Sequence, residues 1–323
     1  MSVLKRNLFL VIGLLLLVAC HSSGENNVNY QTKFVKGSTD NKIEVLDFGG
    51  SGTPILMLTG MGNSAHVYVD FAPKFKNDFQ VYAMTRRGYG ASELTPNGFS
   101  VDTLAQDILA VLKALDLNKV VLIGHSIAGD EISKFASTYP DKVEKVVYLD
   151  AAYDRTGVQE LLMPYYPSYP EMTAKDSSSL KKVNAYVKKI VGVLLPDEEI
   201  ESTSVFSPDG KYLADITPDE TQGKIMLGLE HPNYRHIECP ALAIYATPTS
   251  IYDIIPFYDQ LSAADKEKAD TLFVHTKEWD KQQMERFKKD VDQGIVKEIE
   301  GANHYVFISH PAETEKMIRD FLK

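Results

Sequence analysis

Val120-Val121-Leu122-Ile123-Gly124-His125-Ser126-Ile127-Ala128-Gly129 is the stretch on which the reading of this 323-residue chain turns. Val120–Ile123 is an unbroken apolar run rich in β-branched side chains, the pattern of a strand covered on both faces. The run ends in a glycine, and small residues recur at Ala128 and Gly129. Beyond them a helical pattern continues to about Thr138. A strand that turns sharply into a helix brings the two backbones close together, and only small side chains leave room for that. Ser126 is the hydroxyl-bearing residue at the apex of this turn.

Working outward, the same alternation recurs. Gln31–Val35, Lys42–Leu46, Pro54–Leu58 and Phe79–Met84 read as strands before this segment. Val143–Leu149, Ala241–Tyr245 and Gly294–Ile299 read as strands after it. Between and after them lie helical patterns. The clearest is Val101–Leu115, where Leu104, Ile108, Val111, Leu112 and Leu115 keep the 3.6-residue period and Ser100 or Asp102 stands ready as a cap. Ala312–Leu322 reads as the last helix. Doubly buried strands alternating with helices predict an α/β fold, a mostly parallel sheet flanked by helices. The stretch 153–236 breaks the alternation. It lacks good strands, carries the Pro/Tyr-rich segment Met163–Pro170 and shows helical patterns near Ser179–Val193 and Thr217–Leu229. A structureless loop of that length is uncommon, so a helical cap inserted after the sixth strand is expected. Residues 31–152 and 237–323 then form the core.

A serine becomes a nucleophile when a base takes its proton, an acid orients the base, and donors receive the developing oxyanion. The turn at Ser126 resembles the nucleophile elbow G-x-S-x-G of the α/β-hydrolase superfamily. It departs from that pattern at Ala128, with Gly129 one residue later. The resemblance covers residues 33–323 and implies a capped serine hydrolase acting through an acyl-enzyme. It implies that His304, in Gly301-Ala302-Asn303-His304 after the last strand, is the base. His125 is expected to point away from the catalytic face. The acid is either Asp150, at the end of Val143–Leu149, or Asp253, beyond the turn Ala246–Ser250 that itself has no carboxylate; Asp150 is preferred and Asp154 ranks third. The backbone N–H groups of Ile127 and Met61 are the expected oxyanion donors, Met61 lying in Thr59-Gly60-Met61-Gly62, where Thr59 replaces the family's usual His. Arg86-Arg87-Gly88-Tyr89-Gly90-Ala91-Ser92 resembles a family turn of structural role.

The expected substrate is a small or medium carboxylic ester. Alternatives are a peptide substrate of the proline-iminopeptidase kind, a lactone, a carbon–carbon bond, or ligand binding without catalysis. Tyr165, Tyr166, Tyr169 and nearby methionines are candidate pocket residues. A nucleophile of Ser rather than Asp argues against epoxide hydrolases and haloalkane dehalogenases of the same fold.

Composition narrows the partners. Hydrophobic residues are 44% and charged ones 24%, enough for a sizeable core. The net charge of −10 and the absence of clustered basic residues exclude a nucleic-acid footprint. Protein partners are not indicated. No cofactor is implied, and neither the two cysteines nor the spacing of the eight histidines suggests a metal site. At the start, Lys5-Arg6 precedes the apolar run Leu8–Ala19, too short to span a bilayer as a helix. Leu17-Val18-Ala19-Cys20 resembles the lipobox of bacterial lipoproteins. That resemblance implies a signal peptide over 1–19, acylation at Cys20, a polar tether over 20–30, and an exported, membrane-anchored protein of the cell envelope. Cys239 is then left without a partner in the chain and is expected to be a small buried residue.

Overall fold

The computed structural model describes residues 29–323. The signal-like run, Cys20 and all but the end of the tether lie outside the described residues. Tyr30, assigned above to the tether, belongs to the packed body: its ring lies 5.5 Å from that of Phe48 and 5.6 Å from that of His66.

Eight strands form one sheet: β1 (Gln31–Lys36), β2 (Lys42–Gly49), β3 (Pro54–Leu58), β4 (Gln80–Met84), β5 (Val120–His125), β6 (Val143–Leu149), β9 (Ala241–Thr247) and β10 (Gly294–Glu300). Their spatial order is β1-β2-β4-β3-β5-β6-β9-β10. β1 and β2 run antiparallel at one edge, β2 meets β4 antiparallel, and every pairing from β4 onward is parallel. The continuous apolar strands are explained by this two-sided cover. Leu56, Leu58, Leu122 and Tyr148 face one core, with α1 (Val101–Ala114), α2 (Ala128–Thr138) and Phe287 of α7 (Ala263–Asp290) packed on them. Their alternate neighbours Ile55, Met57, Ile123 and Leu149 face the other, under Val67, Phe71, Phe307 and Ile318 of α9 (Pro311–Leu322). Of the two candidate caps for α1, Ser100 accepts from Thr103 N–H, while Asp102 pairs with Lys134 on α2.

Between β6 and β9 the chain forms α3 (Val158–Leu161), α4 (Leu180–Val191), α5 (Asp197–Thr203), β7 (Ser204–Phe206), β8 (Tyr212–Asp215) and α6 (Asp219–Leu227). The insertion after the sixth strand is mainly helical, as expected, and in addition carries a small sheet, since β7 and β8 pair as an antiparallel hairpin. Its turn, Ser207-Pro208-Asp209-Gly210, places Gly210 at φ 82° and closes with Ser207 and Lys211 exchanging backbone and hydroxyl bonds. Strands this short, with Val205 and Leu213 exposed, leave no alternation to read in the sequence. The 28-residue α7 joins β9 to β10. Among the described residues no helix is long and apolar enough to cross a membrane.

Candidate active site

Register brings the candidate residues together. In the parallel pair β5–β6, His125 stands opposite Leu149. Ser126 and Asp150 are the next residues on each strand, so both leave the sheet side by side at its carboxyl edge. Both leave it strained, Ser126 at φ 54° and Asp150 at φ 47°, in the left-handed region that costs L-residues about 1–2 kcal/mol. Ser126 N–H is fixed to Leu149 O at 3.2 Å and Asp150 N–H to Ile244 O at 2.7 Å.

The departure at Ala128 finds its reason here. A side chain on Gly129 would meet Ala151 O at 1.9 Å, whereas Ala128 is accommodated in the core. The glycine is therefore required at the second of the two small positions, where α2 passes the loop that carries Asp150.

His304 reaches this edge from the loop after β10. Its Nδ1 lies 2.6 Å from Asp150 Oδ2. The other carboxylate oxygen accepts from Tyr153 O–H at 2.6 Å and from Ala246 N–H at 3.0 Å. Asp150 is thus held by donors on three sides, and its contact with Nδ1 leaves Nε2 of His304 for the cavity. Asp253 is not brought to His304: its Oδ2 accepts from the backbone N–H groups of Thr249 and Ser250 and from Thr249 Oγ1, and so caps its own turn. Asp154 is taken by Thr156, His231 and Arg286. The structure therefore joins Asp150, and neither alternative, to the histidine.

Ser126, Asp150, His304 and Met61 line one cavity of about 530 Å³. Among the described residues Ser126 Oγ and His304 Nε2 have no hydrogen-bond partner, and the N–H groups of Met61 and Ile127 donate to no protein acceptor. Four uncommitted groups of the required kinds thus belong to the walls of one space or the turn beside it. Met163, Tyr166 and Tyr169 line it as well. Tyr165 does not; its ring packs edge-on against His275 at 4.9 Å. A second cavity of about 440 Å³ shares Met61, Val191, Gln222 and Tyr305 with the first and so adjoins it. A cavity of about 560 Å³ beside α9 is lined by Asp78, Glu315 and Arg319, which are paired with one another, and it offers no nucleophile.

Three supporting groups escaped the sequence reading. The first is Arg86. It donates to the carbonyls of Thr59 at 2.6 Å and Gly60 at 3.1 Å, while its Nε pairs with buried Glu131 on α2. One guanidinium thus ties the loop of Met61 to the helix that starts at Ile127. The second is His125, whose predicted orientation away from the site is corrected. Its ring lies 4.7 Å from that of His304, and its Nε2 is 3.1 Å from His304 O. Burial, followed by the neighbouring His304, holds His125 well below the usual histidine range, so it stands as a neutral prop that donates to the His304 carbonyl. A side chain on Gly60 would collide with its Nδ1 at 2.8 Å, which accounts for that glycine. The third is Glu199 of α5. It accepts from Asn63 Nδ2, Ser64 N–H and Ser64 Oγ, and Asn63 in turn accepts from Tyr305. Burial pushes its carboxyl up to about 7 against the pull of those donors. The segments on either side of His304 are linked to α4 as well, through Asn303 Nδ2 to Val191 O at 2.8 Å. Apart from the turn that begins at Arg86, nothing local marks the three; what each holds is defined by partners distant in the chain.

Comparison with known proteins agrees with this fold. A family model described as the alpha/beta hydrolase fold matches residues 53–193. A putative non-heme haloperoxidase of Mycobacterium phage D29 is 28% identical over 144 residues, which is 44% of this chain and half of that protein. The 2-(acetamidomethylene)succinate hydrolase of Mesorhizobium japonicum is 23% identical over 84% of this chain and 89% of its own. Among solved structures, E-2-(acetamidomethylene)succinate hydrolase superposes with a TM-score of 0.66 at 22% identity, covering 91% of this chain and 99% of that one. The Rhodococcus esterase RhEst1 does so with a TM-score of 0.60 at 16% identity, covering 90% and 98%. The chain has the α/β-hydrolase fold.

Proposed function

We propose that the chain is a serine hydrolase that works through an acyl-enzyme on a small or medium carboxylic ester. The observation that carries this is the 2.6 Å contact of Asp150 with His304 Nδ1, in a cavity that Ser126 also lines. In the first half-reaction Ser126 Oγ attacks the ester carbonyl carbon and His304 Nε2 takes its proton. The oxyanion receives the N–H groups of Met61 and Ile127, and the imidazolium is balanced by Asp150. His304 then gives the proton to the leaving alcohol. Water, activated by the same histidine, releases the acid.

The same steps open a lactone, an amide or a carbon–carbon bond beside a carbonyl. The relative that spans most of its length is named as a succinate-derivative hydrolase and not as an esterase, so the bond type rests on direct assay. A peptidase of the proline-iminopeptidase kind needs a free acidic group for the substrate amine. In the acidic run of α5, Glu199 is buried and already holds Asn63 and Ser64. Labelling by a fluorophosphonate probe, compared between wild type and Ser126→Ala, tests the proposal. Ser126-dependent labelling with turnover of short acyl esters is expected. Absence of both would leave a ligand-binding protein on a hydrolase scaffold.

We propose further that the protein is exported and anchored to a cell-envelope membrane through acylated Cys20, on the support of Leu17-Val18-Ala19-Cys20 behind a positively charged start. Cys20→Ser is expected to move the protein from the membrane fraction to the soluble one, and retention in the membrane would overturn the anchor.

A further inference from the structure

Among the described residues that line the Ser126 cavity, one side chain is permanently cationic, Arg155. It lies on the loop that begins at Asp150. Its side chain is 10% exposed. Nη1 donates to Asp130 Oδ2 at 2.7 Å and leans toward Ala151 O at 3.4 Å. The Tyr153 ring lies beneath the guanidinium carbon at 5.2 Å. Among the described residues Nε and Nη2 donate to no protein acceptor. A guanidinium keeps its charge in any protein setting, and these two nitrogens keep access to solvent while having no protein acceptor. Nε and Nη2 together form an edge of the planar fork that suits a carboxylate held by two parallel bonds.

A second lining residue points the same way. Asp280 on α7 takes a place in the buried stripe of Ala269, Leu272, Gln283 and Phe287, where an apolar residue would serve packing better. It is 6% exposed, lines the cavity and lies beside the Tyr153 hydroxyl, which Asp150 also accepts from. Burial, then the charge of Asp150, pushes its carboxyl up to about 8. At neutral pH it therefore carries its proton. It adds no charge that would repel an anion, and it offers an O–H donor.

A structural role for Arg155, tying its loop to α2 through Asp130, accounts for one nitrogen of the fork and leaves Nε and Nη2 without a protein partner and open to solvent. We propose that the Nε/Nη2 edge of Arg155 is a subsite for a carboxylate on the substrate, so that the bond cleaved belongs to a small anionic molecule. This rests on the hydrolase reading and narrows it. Asp130, 3% exposed and with one carboxylate oxygen unpartnered, is the counter-ion that fixes the guanidinium before substrate arrives.

Two pairs of substrates test it, each differing only in charge. 4-Acetoxybenzoate against its methyl ester places the carboxylate on the leaving group; monoethyl against diethyl adipate places it on the acyl side. In one pair the wild type is expected to favour the anion by about tenfold or more in kcat/KM, the equivalent of one good charged contact. Arg155→Gln is expected to erase that ratio, chiefly through KM. Arg155→Lys, which keeps charge but loses the fork, is expected to fall between. A wild type with no preference in either pair, or an Arg155→Gln that slows both members equally, would overturn the subsite; the second result is what a structural tie predicts. Calorimetry with glutarate on Ser126→Ala, with and without Arg155→Gln, reads the same contact without turnover. Glutarate binding that needs Arg155, in a protein without Ser126 labelling, would sink the hydrolase reading and keep the subsite. Ser126-dependent turnover with no charge preference and no glutarate binding would do the reverse.

Discussion

At the residue scale the acid is the position that the sequence left open and the geometry distinguishes. Asp150 and Asp253 both line the cavity, but the Asp253 carboxylate is occupied by its own turn. Asp150→Asn is expected to lower kcat by about 10³–10⁴-fold, since an amide favours the wrong tautomer of His304. Asp253→Asn is expected to lower the melting temperature and keep turnover. Kinetics of the two variants side by side check the assignment; loss of turnover in the second alone would reverse it. Ser126 carries a different kind of cost. At φ 54° it occupies backbone space that glycine enters freely. Ser126→Gly is therefore expected to be more stable than Ser126→Ala by about 1 kcal/mol, although both are inactive. Denaturant unfolding of the pair measures this, and equal midpoints would show that the elbow is relaxed.

At the element scale the working parts are tied together by a few buried polar side chains. Arg86 holds two carbonyls of the Met61 loop and a carboxylate on α2, so one residue ties together the two segments that carry the proposed oxyanion donors. Arg86→Lys keeps the charge and loses the fork. It is expected to reduce kcat by about 10²-fold with a smaller change in KM, the signature of a contact that matters in the transition state. A change confined to KM would refute that role. This is also where legibility ends. Apolar runs and small residues at turns announced the strands and the elbow, because those signals are local and periodic, whereas His304 came from the family resemblance. What Arg86, His125 and Glu199 hold is recognisable only by the partners that folding brings to them, although the turn at Arg86 was legible as structural. The hairpin of β7 and β8 was missed because three- and four-residue strands have no period.

At the scale of the whole molecule, buried carboxyls give stability a definite pH dependence. Asp280 faces Asp150 and Tyr153 from the loop after β6, and Tyr245 from β9. Its folded value of about 8 lies above the unfolded value of about 3.9. Below pH 4 both states hold the proton and nothing is lost. Between pH 4 and 8 the unfolded chain ionises first, so stability declines, and above pH 8 the loss is complete. Asp280→Asn is therefore expected to stabilise the fold more at pH 8.5 than at pH 4, by on the order of a few kcal/mol, and to raise the melting temperature accordingly. Thermal unfolding across that range checks the sign; a gain confined to low pH would contradict it. Glu199 acts in the same direction up to about pH 7 and remains in both proteins, so the comparison cancels it.

The bond from Asn303 to Val191 O has a consequence for cooperativity. It ties the last turn of α4 to the residue that precedes His304, and Tyr305 N–H closes on the same asparagine side chain at 3.0 Å. A fluctuation that lifts α4 away must break that bond and release the backbone on both sides of the histidine. In hydrogen exchange the amides of the last turn of α4 and of Tyr305 then form a single opening unit, with one shared protection energy, although more than a hundred residues of chain separate them.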